Sequence, residues 1–444
     1  MSTDRGGLVR PDVTEAEAEQ IARERYGIEA TATELGSNQD RNFLLIEAGG
    51  ARSVLRIDNE AFGDEARDAQ HAALDAYRAA GVAVPAVLPG TDGELTQRWG
   101  RFAVRRSEFA EGVSLFDCGY LAPPVIEEFG ALAAASVQAL AGLDHPGLDR
   151  ANMWDLRVAF AETERLAPAI SDAELRNRVL RAAREAHEAL APLVEALPVQ
   201  AIHGDLTDDN VMGRRGDDTR VHPHTVLDLG DLSYGWRIGE LAVTLSSLLH
   251  HEPDRPLRVL DAVAAFHRAA PVAPAEARAL WPLVLLRAAL IVASGWRQLE
   301  IDGDNEYAQD RIAGEQAIFD AAAQYPLAEM TEQVLARLGM QGIAHGTGLR
   351  LLAVPAAAAA EQPLHTLIPA LGGSVTVLDP GVESEALAAG AWLSGAAEQR
   401  LRHRALPAAS PLRARRSARC AAVLVSAAGR TTLVGAGQPA STAP

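Results

Sequence analysis

Apolar and polar positions change rhythm along this chain. In the first hundred or so residues the apolar positions come in short runs separated by polar turns. Thr33 to Glu47 reads as two strands around the turn Gly36-Ser37-Asn38-Gln39-Asp40, Val54-Leu55-Arg56-Ile57 as a third, and Trp99 to Phe109 as further strands. Helices are predicted over residues 12–28, where Val13-Thr14 precedes an acidic first turn, and over about Glu65 to Ala79. From Pro123 to about Gln200 the spacing is helical. Ile126, Phe129, Leu132 and Ala133 share one face, Val179, Ala183, Ala186 and Leu190 another, and Pro168, Pro192 and Pro198 mark helix ends. The longest apolar stretch, Ala279 to Ser294, carries Pro282 and Arg287; it is too short and too broken to span a bilayer and reads as a buried helix.

The candidate chemistry follows this helical stretch. His203-Gly204-Asp205-Leu206-Thr207-Asp208-Asp209-Asn210 leads into Val211-Met212-Gly213, a polar turn over Arg214 to Asp218, and a returning strand, His224-Thr225-Val226-Leu227. That strand runs into Leu227-Asp228-Leu229-Gly230-Asp231. The order Asp205, Asn210, Asp228 meets the needs of phosphoryl transfer from ATP. One carboxylate orients the attacking hydroxyl, and an amide and a second carboxylate hold metal ions against the phosphates. Asp residues also cap turns, but turn capping leaves His203, Asn210 and the second Asp without a reason to fall in this register.

These motifs resemble the aminoglycoside phosphotransferase and choline kinase superfamily, a relative of the protein kinases. More closely, the chain resembles hydroxylysine kinase-like proteins and the N-terminal kinase domain of bacterial fusion proteins that end in a class III aminotransferase-type domain. The stretches that carry this are GSNQDRNFLL at 36–45, SVLRIDN at 53–59, DAQHAAL at 68–74, GVAVPAVLP at 81–89, HPGLDRANMWDLR at 145–157 and the two catalytic motifs. The resemblance covers roughly residues 10–330.

It implies an α+β, protein kinase-like fold of two lobes. Residues 1–112 would form a small antiparallel sheet lobe over the nucleotide phosphates, and 113–340 a mainly helical lobe with the catalytic loop. Asp205 would be the catalytic base, Asn210 and Asp228 the magnesium ligands, and ATP the donor. His203 would pack beneath the loop. Gly36, Asn38 and nearby N–H groups would cradle phosphates, although the same segment reads equally as a plain hairpin. Arg56 stands where relatives carry a lysine for the α- and β-phosphates, and Asp68, with Glu65 a turn earlier, where they carry its glutamate partner. Arg and Lys are not interchangeable at a tight phosphate site. Ala110-Glu111-Gly112 would be the hinge beside the adenine. Asp231 and Glu240 are candidates for a substrate amine, with Glu240 also readable as an acid complementing a helix start. Asp302, Asp304 and Glu306 resemble an acceptor-facing loop or a solvated turn. Trp154 reads as core, and His250-His251 as a polar helix end.

Composition narrows the class. The 444 residues allow two or three domains. A formal charge of −18 argues against general nucleic-acid binding. Cys118 and Cys420 form neither metal spacing nor a disulfide framework. The start MSTDRGGLVR has no apolar stretch, so no signal peptide, no membrane association and a cytoplasmic enzyme are expected. All 41 basic residues are arginine. Without a lysine the chain cannot form the aldimine of a pyridoxal-phosphate enzyme or a Walker A site. A phospho-lyase acting on the product would be a separate protein.

From about His345 the chain becomes rich in Ala, Gly and Pro. Residues 341–399 read as a linker or the start of a truncated next domain, with short strands at Leu349 to Val354 and Ser374 to Asp379. Residues 400–444 hold eight Arg and no acid, while the other 33 Arg face all 59 acids. This tail is expected to be poorly ordered. The expected function is an ATP-dependent kinase of a small-molecule hydroxyl, on an amino alcohol or hydroxylated amino acid. The competing readings are a catalytically impaired nucleotide-binding regulatory module, suggested by Arg56, Asp68 and the tail, and an aminoglycoside phosphotransferase.

Overall fold

The computed structural model describes residues 10–37, 40–150, 152–301 and 306–341, together with strands at 352–353, 374–377, 420–427 and 430–437. Residues 1–272 and 276–341 form one compact unit; 342–444, with 273–275, form a second.

The first unit opens with helix α1 (Glu15–Tyr26). Thr14 and Glu17 start it with a reciprocal capping box, in which Thr14 Oγ1 accepts from the Glu17 N–H and the Glu17 carboxylate accepts from the Thr14 N–H at 2.8 Å. Strands β1 (Ala30–Leu35), β2 (Arg41–Glu47) and β3 (Arg52–Ile57) follow, then helix α2 (Asp64–Ala79) and strands β4 (Val87–Leu88), β5 (Gln97–Trp99) and β6 (Phe102–Glu108). They pair antiparallel in the order β1-β2-β3-β6-β4, with β5 also on β6. Period-two alternation sends Phe43, Leu45, Leu55, Ile57 and Val104 inward, where they meet Ile21, Ala22 and Tyr26 of α1.

The second lobe of this unit starts with β7 (Val113–Ser114) and helices α3 (Pro123–Leu140), α4 (Ala159–Leu166) and α5 (Ala173–Leu190). Its functional hairpins are β8 (Val199–Ile202), paired with β11 (Ser233–Trp236), and β9 (Val211–Arg215), paired with β10 (Val221–Val226). Helices α6 (Arg237–Leu248), α7 (Leu260–Ala269), α8 (Pro274–Ile301), α9 (Glu306–Ala322) and α10 (Leu327–Arg337) complete it. Ile126, Phe129, Ala133, Val179, Ala183, Ala186 and Leu190 are buried as their spacing predicts. Pro282 does not break α8: the helix runs through it for 28 residues, at the cost of the bond its missing N–H would make. By length and composition α8 could cross a membrane, yet 78% of its most apolar window is buried and Trp281 is fully enclosed, so it is a core helix.

The two-lobed, kinase-like expectation therefore holds, with an antiparallel sheet lobe followed by a mainly helical one. In the second unit, β12 (Leu352–Ala353), β13 (Ser374–Val377), β14 (Cys420–Ala427) and β15 (Arg430–Gly437) form one sheet in the order β12-β15-β14-β13. The first two fall on the strands read from sequence. The expectation of low order after residue 400 otherwise lies outside the described residues.

Candidate active site

The loop between β8 and β9 is fixed from below. His203 is fully buried; its Nε2 donates to Leu227 O at 2.8 Å and its Nδ1 accepts from the Asp205 N–H at 3.3 Å. These two bonds fix the ring, whose role is to hold the loop. Gly204 has φ +81, and a Cβ there would lie 2.8 Å from Asp231 O, so both conformation and space require glycine. Its N–H donates to Glu240 Oε2 at 3.0 Å. Glu240 Oε1 accepts from Ser136 Oγ, which also meets Tyr77 Oη, each at 2.8 Å. Glu240 is fully buried, and burial pushes its carboxyl up. It is a strut of the catalytic loop, so the expectation that it meets a substrate amine is corrected.

Asp205 and Asn210 converge on this loop. The Asn210 Nδ2 donates to Asp205 Oδ2 and to Asp205 O, both at 2.9 Å. With its amide nitrogen turned inward, Asn210 keeps Oδ1 as an acceptor with no hydrogen-bond donor among the described residues. Asp205 Oδ1 accepts from Arg287 Nη2 of α8. Burial pushes the Asp205 carboxyl up to about 7, against the pull of Arg287 and with the help of Asp231 and Asp209. A carboxylate poised near neutrality suits a general base.

Asp228 lies past the hairpin in the left-handed region, φ 48, a conformation that costs energy for a residue with a side chain and clusters at functional sites. Its Oδ1 accepts from Gly230 N and from Arg56 Nη1, both at 2.8 Å. Burial alone would raise it, but Arg56 and the Gly230 N–H bring it down to about 2. The side chain is enclosed on the Arg56 side and still 44% exposed on the other, and Oδ2 has no partner among the described residues. An ionised Asp228 and the Asn210 oxygen are hard oxygen donors of the kind a divalent cation takes.

Arg56 joins the lobes, though not as predicted. Its Nη2 donates to Asp40, its Nη1 to Asp228, and its Nε lies 3.4 Å from Asp58 Oδ1. Asp68 is exposed on α2, so the expected Arg56–Asp68 pair, with Glu65 behind it, is corrected. Helix α2 reaches the sheet through Gln70 instead. Arg105, the cross-strand neighbour of Arg56, donates to Gln70 Oε1 at 2.7 Å and grips Asp58 with two bonds of 3.1 and 2.6 Å. Burial holds Asp40 above the usual carboxylate range even with Arg56 on it.

The remaining expected residues separate. Gly36 has open space around a built Cβ and needs no glycine on steric grounds; Asn38 lies outside the described residues, as do Asp302, Asp304 and the Glu306 side chain. Glu111 is ion-paired with Arg52 through its side chain, which leaves the backbone groups expected to form the hinge unengaged by that pair. Its neighbour Gly112 has φ +142 and packs on Gly213 O, which fits a tight crossing between lobes. Asp231 lines a cavity of about 200 Å³ with Glu65, Asp149, Arg150 and Trp154. Trp154 is only half-buried there, with Arg287 4.3 Å above its ring, so it is pocket wall as well as core. Two site residues escaped the sequence reading. Arg287 carried a signal, the lone charge in the apolar stretch Ala279 to Ser294, and Asp40 carried none beyond its place at the end of a polar turn.

A model of the phosphotransferase enzyme family matches residues 31–280. Hydroxylysine kinase of Danio rerio is 23% identical over 297 residues, 63% of this chain and 82% of that protein. Hydroxylysine kinase of Mus musculus is 26% identical over 306 residues, 63% and 80% of the two chains. Among solved structures, a microcompartment-associated aminopropanol kinase superposes with TM-score 0.56 at 20% identity, covering 71% of this chain and 98% of its own. The amicoumacin kinase hAmiN, in complex with AMP-PNP, Ca2+ and Ami, gives TM-score 0.54 at 13% identity, covering 71% and 95%. At these identities the structural likeness is one of fold.

Proposed function

The chain belongs to the phosphotransferase enzyme family, and from that premise we propose that it moves the γ-phosphoryl group of ATP, with magnesium, to the hydroxyl of an amino alcohol or hydroxylated amino acid. The coarser part stands on the family and its relatives: it is a small-molecule kinase acting on hydroxyl groups. The amicoumacin kinase in complex with AMP-PNP and Ca2+ supports the use of a nucleotide and a divalent cation. The observation that carries the reading is the hydrogen-bonded pair Asp205–Asn210 beside a depressed Asp228.

The acceptor hydroxyl donates to Asp205, which takes its proton as the oxygen bonds to the γ-phosphorus and the β–γ bridge opens to release ADP. Arg56 balances charge on the phosphates. Asn210 Oδ1 and Asp228 would hold the cation, which supplies further neutralisation of phosphate charge. Most of the rate comes from positioning and fixed charge, since this reaction class asks for little covalent chemistry from the protein.

The hydroxylysine kinases and the aminopropanol kinase point to acceptors bearing both a hydroxyl and an amine. The cavity beside Asp231 supports the same class. It is small, and three acids, Glu65, Asp149 and Asp231, line it with Arg150, a wall that favours an ammonium group. A pyridoxal-phosphate phospho-lyase is the expected consumer of the product.

The test is magnesium-dependent ADP release with hydroxylysine, short amino alcohols and aminoglycosides, run beside Asp205→Ala. Release stimulated by the small acceptors and absent in the variant is expected. Stimulation by aminoglycosides alone would move the acceptor class, and ATP binding without any stimulated release would favour the impaired module.

A further inference from the structure

We infer that the rear of the catalytic loop carries a second metal site, for a divalent transition metal such as zinc, formed by Asp208, His250 and His251. The ligating atoms of the three lie within 4.8 Å of one another. Asp208 belongs to the short turn Asp208–Asn210 that follows the base. The histidines lie just past the end of α6. There, bonds from the His250 N–H to Ser247 O and from the His251 N–H to Leu248 O tighten the last turn to three-residue spacing. Tightening brings the two consecutive rings together, with centroids 4.8 Å apart in an edge-on arrangement.

The donor set suits zinc better than magnesium, because imidazole nitrogen is a borderline ligand that magnesium takes poorly. One oxygen, Asp208 Oδ2, faces both rings: His251 Nε2 at 2.8 Å and His250 Nδ1 at 3.5 Å. Ligands on a tetrahedral zinc at 2.0–2.2 Å stand roughly 3.3 Å apart, so the two nitrogen–oxygen separations need only small adjustments, and the two ring nitrogens, within 4.8 Å of each other, close in by turning the half-exposed His250 ring. Without an ion the cluster is poorly satisfied. His250 Nδ1 is buried and, among the described residues, has only the Asp208 carboxylate oxygen at 3.5 Å, a long approach for a hydrogen bond. A cation in the middle would satisfy both nitrogens and the oxygen together.

The surroundings are organised as a support for such a site. Only 1% of the His251 side chain and 5% of the Asp208 side chain are exposed, against 31% for His250. Phe116 stacks on His250 at 4.8 Å with an interplanar angle of 6°. The Asp208 N–H donates to Ser247 Oγ, and Asp208 O accepts from the Phe116 N–H, each at 3.1 Å. The half-open side at His250 leaves a route for entry and a position for water. An ion here would tie α6 to the catalytic loop two residues before Asn210, and so would stabilise the loop without touching substrate.

The test is calorimetric titration of the metal-stripped full-length protein with zinc sulfate, without nucleotide or magnesium, with melting temperature as a parallel readout. One bound zinc and a raised melting temperature are expected. Both should weaken by at least about tenfold in affinity in His250→Ala, and both should persist in Asp228→Asn and in excess magnesium. His250→Ala keeps the His251–Asp208 hydrogen bond, so it should fold and melt like the parent without zinc. Absence of zinc uptake, uptake unchanged in His250→Ala, or uptake lost in Asp228→Asn would each overturn the site.

Discussion

Asp205 and Asp228 flank one hairpin, and their surroundings push them to opposite sides of the usual carboxylate range. Burial raises both. At Asp205 it is opposed by Arg287 and reinforced by Asp231 and Asp209, and the carboxyl ends at about 7. At Asp228 it is outweighed by Arg56, through charge and a direct hydrogen bond, and by the Gly230 N–H, and the carboxyl ends at about 2. The residue type is the same, and the partners decide the role. A group near 7 can accept a proton during turnover, whereas a group near 2 stays ionised and serves as a ligand.

The sharpest way to break this contrast is to delete the proposed base. Asp205→Ala should lower kcat by about 10²–10⁴-fold with ATP binding retained; a loss confined to KM would deny Asp205 its role. Arg56→Lys comes next. A lysine has one point charge and cannot span Asp40 and Asp228 as the guanidinium does, so kcat/KM for ATP should fall by about tenfold. An unchanged value would mean that arginine is merely tolerated there.

The pH profile sharpens the Asp205 side. A base works only when ionised, so kcat/KM for the acceptor should fall as pH drops below about 7. In Arg287→Gln the opposing cation is gone, Asp205 should rise further, and the acid limb should move to higher pH. A limb that stays in place would show that Arg287 does not tune the base. The smallest effect is expected at the strut. Glu240→Leu should cost about 1–3 kcal/mol in denaturant unfolding, because the buried Gly204 N–H loses its acceptor. The acceptor KM should stay unchanged, whereas a raised KM would return Glu240 to the substrate.

The parts of this site that were legible in the sequence are those held by local geometry. Asp205 and Asn210 share a tight loop, and the hairpin of β9 and β10 returns the chain to Asp228, so short-range spacing was enough. Arg56 was placed correctly on β3, but its partners were not. The acids that hold it come from a turn, from the end of its own strand and from the other lobe, and nothing in the spacing of α2 shows that Gln70 and Arg105 replace a direct pair with Asp68. Glu240 was misread because an acid at a helix start looks the same whether it faces solvent or the N–H of Gly204. Trp154 and Arg287 meet across α8 and the loop after α3, a contact with no local trace.

By itself the sequence determined the short strands and helices and the order Asp205, Asn210, Asp228, because periodicity and turn chemistry act over a few residues; the phosphotransferase family and its two-lobed architecture came through the resemblance that those motifs carry. Only the tertiary structure decided which charges face one another. It tied Arg56 to Asp40 and Asp228, set Arg287 against the base, buried Glu240 beneath the loop and brought two histidines to Asp208. Electrostatic roles depend on distance and burial, and for residues far apart in the chain those quantities exist only after folding.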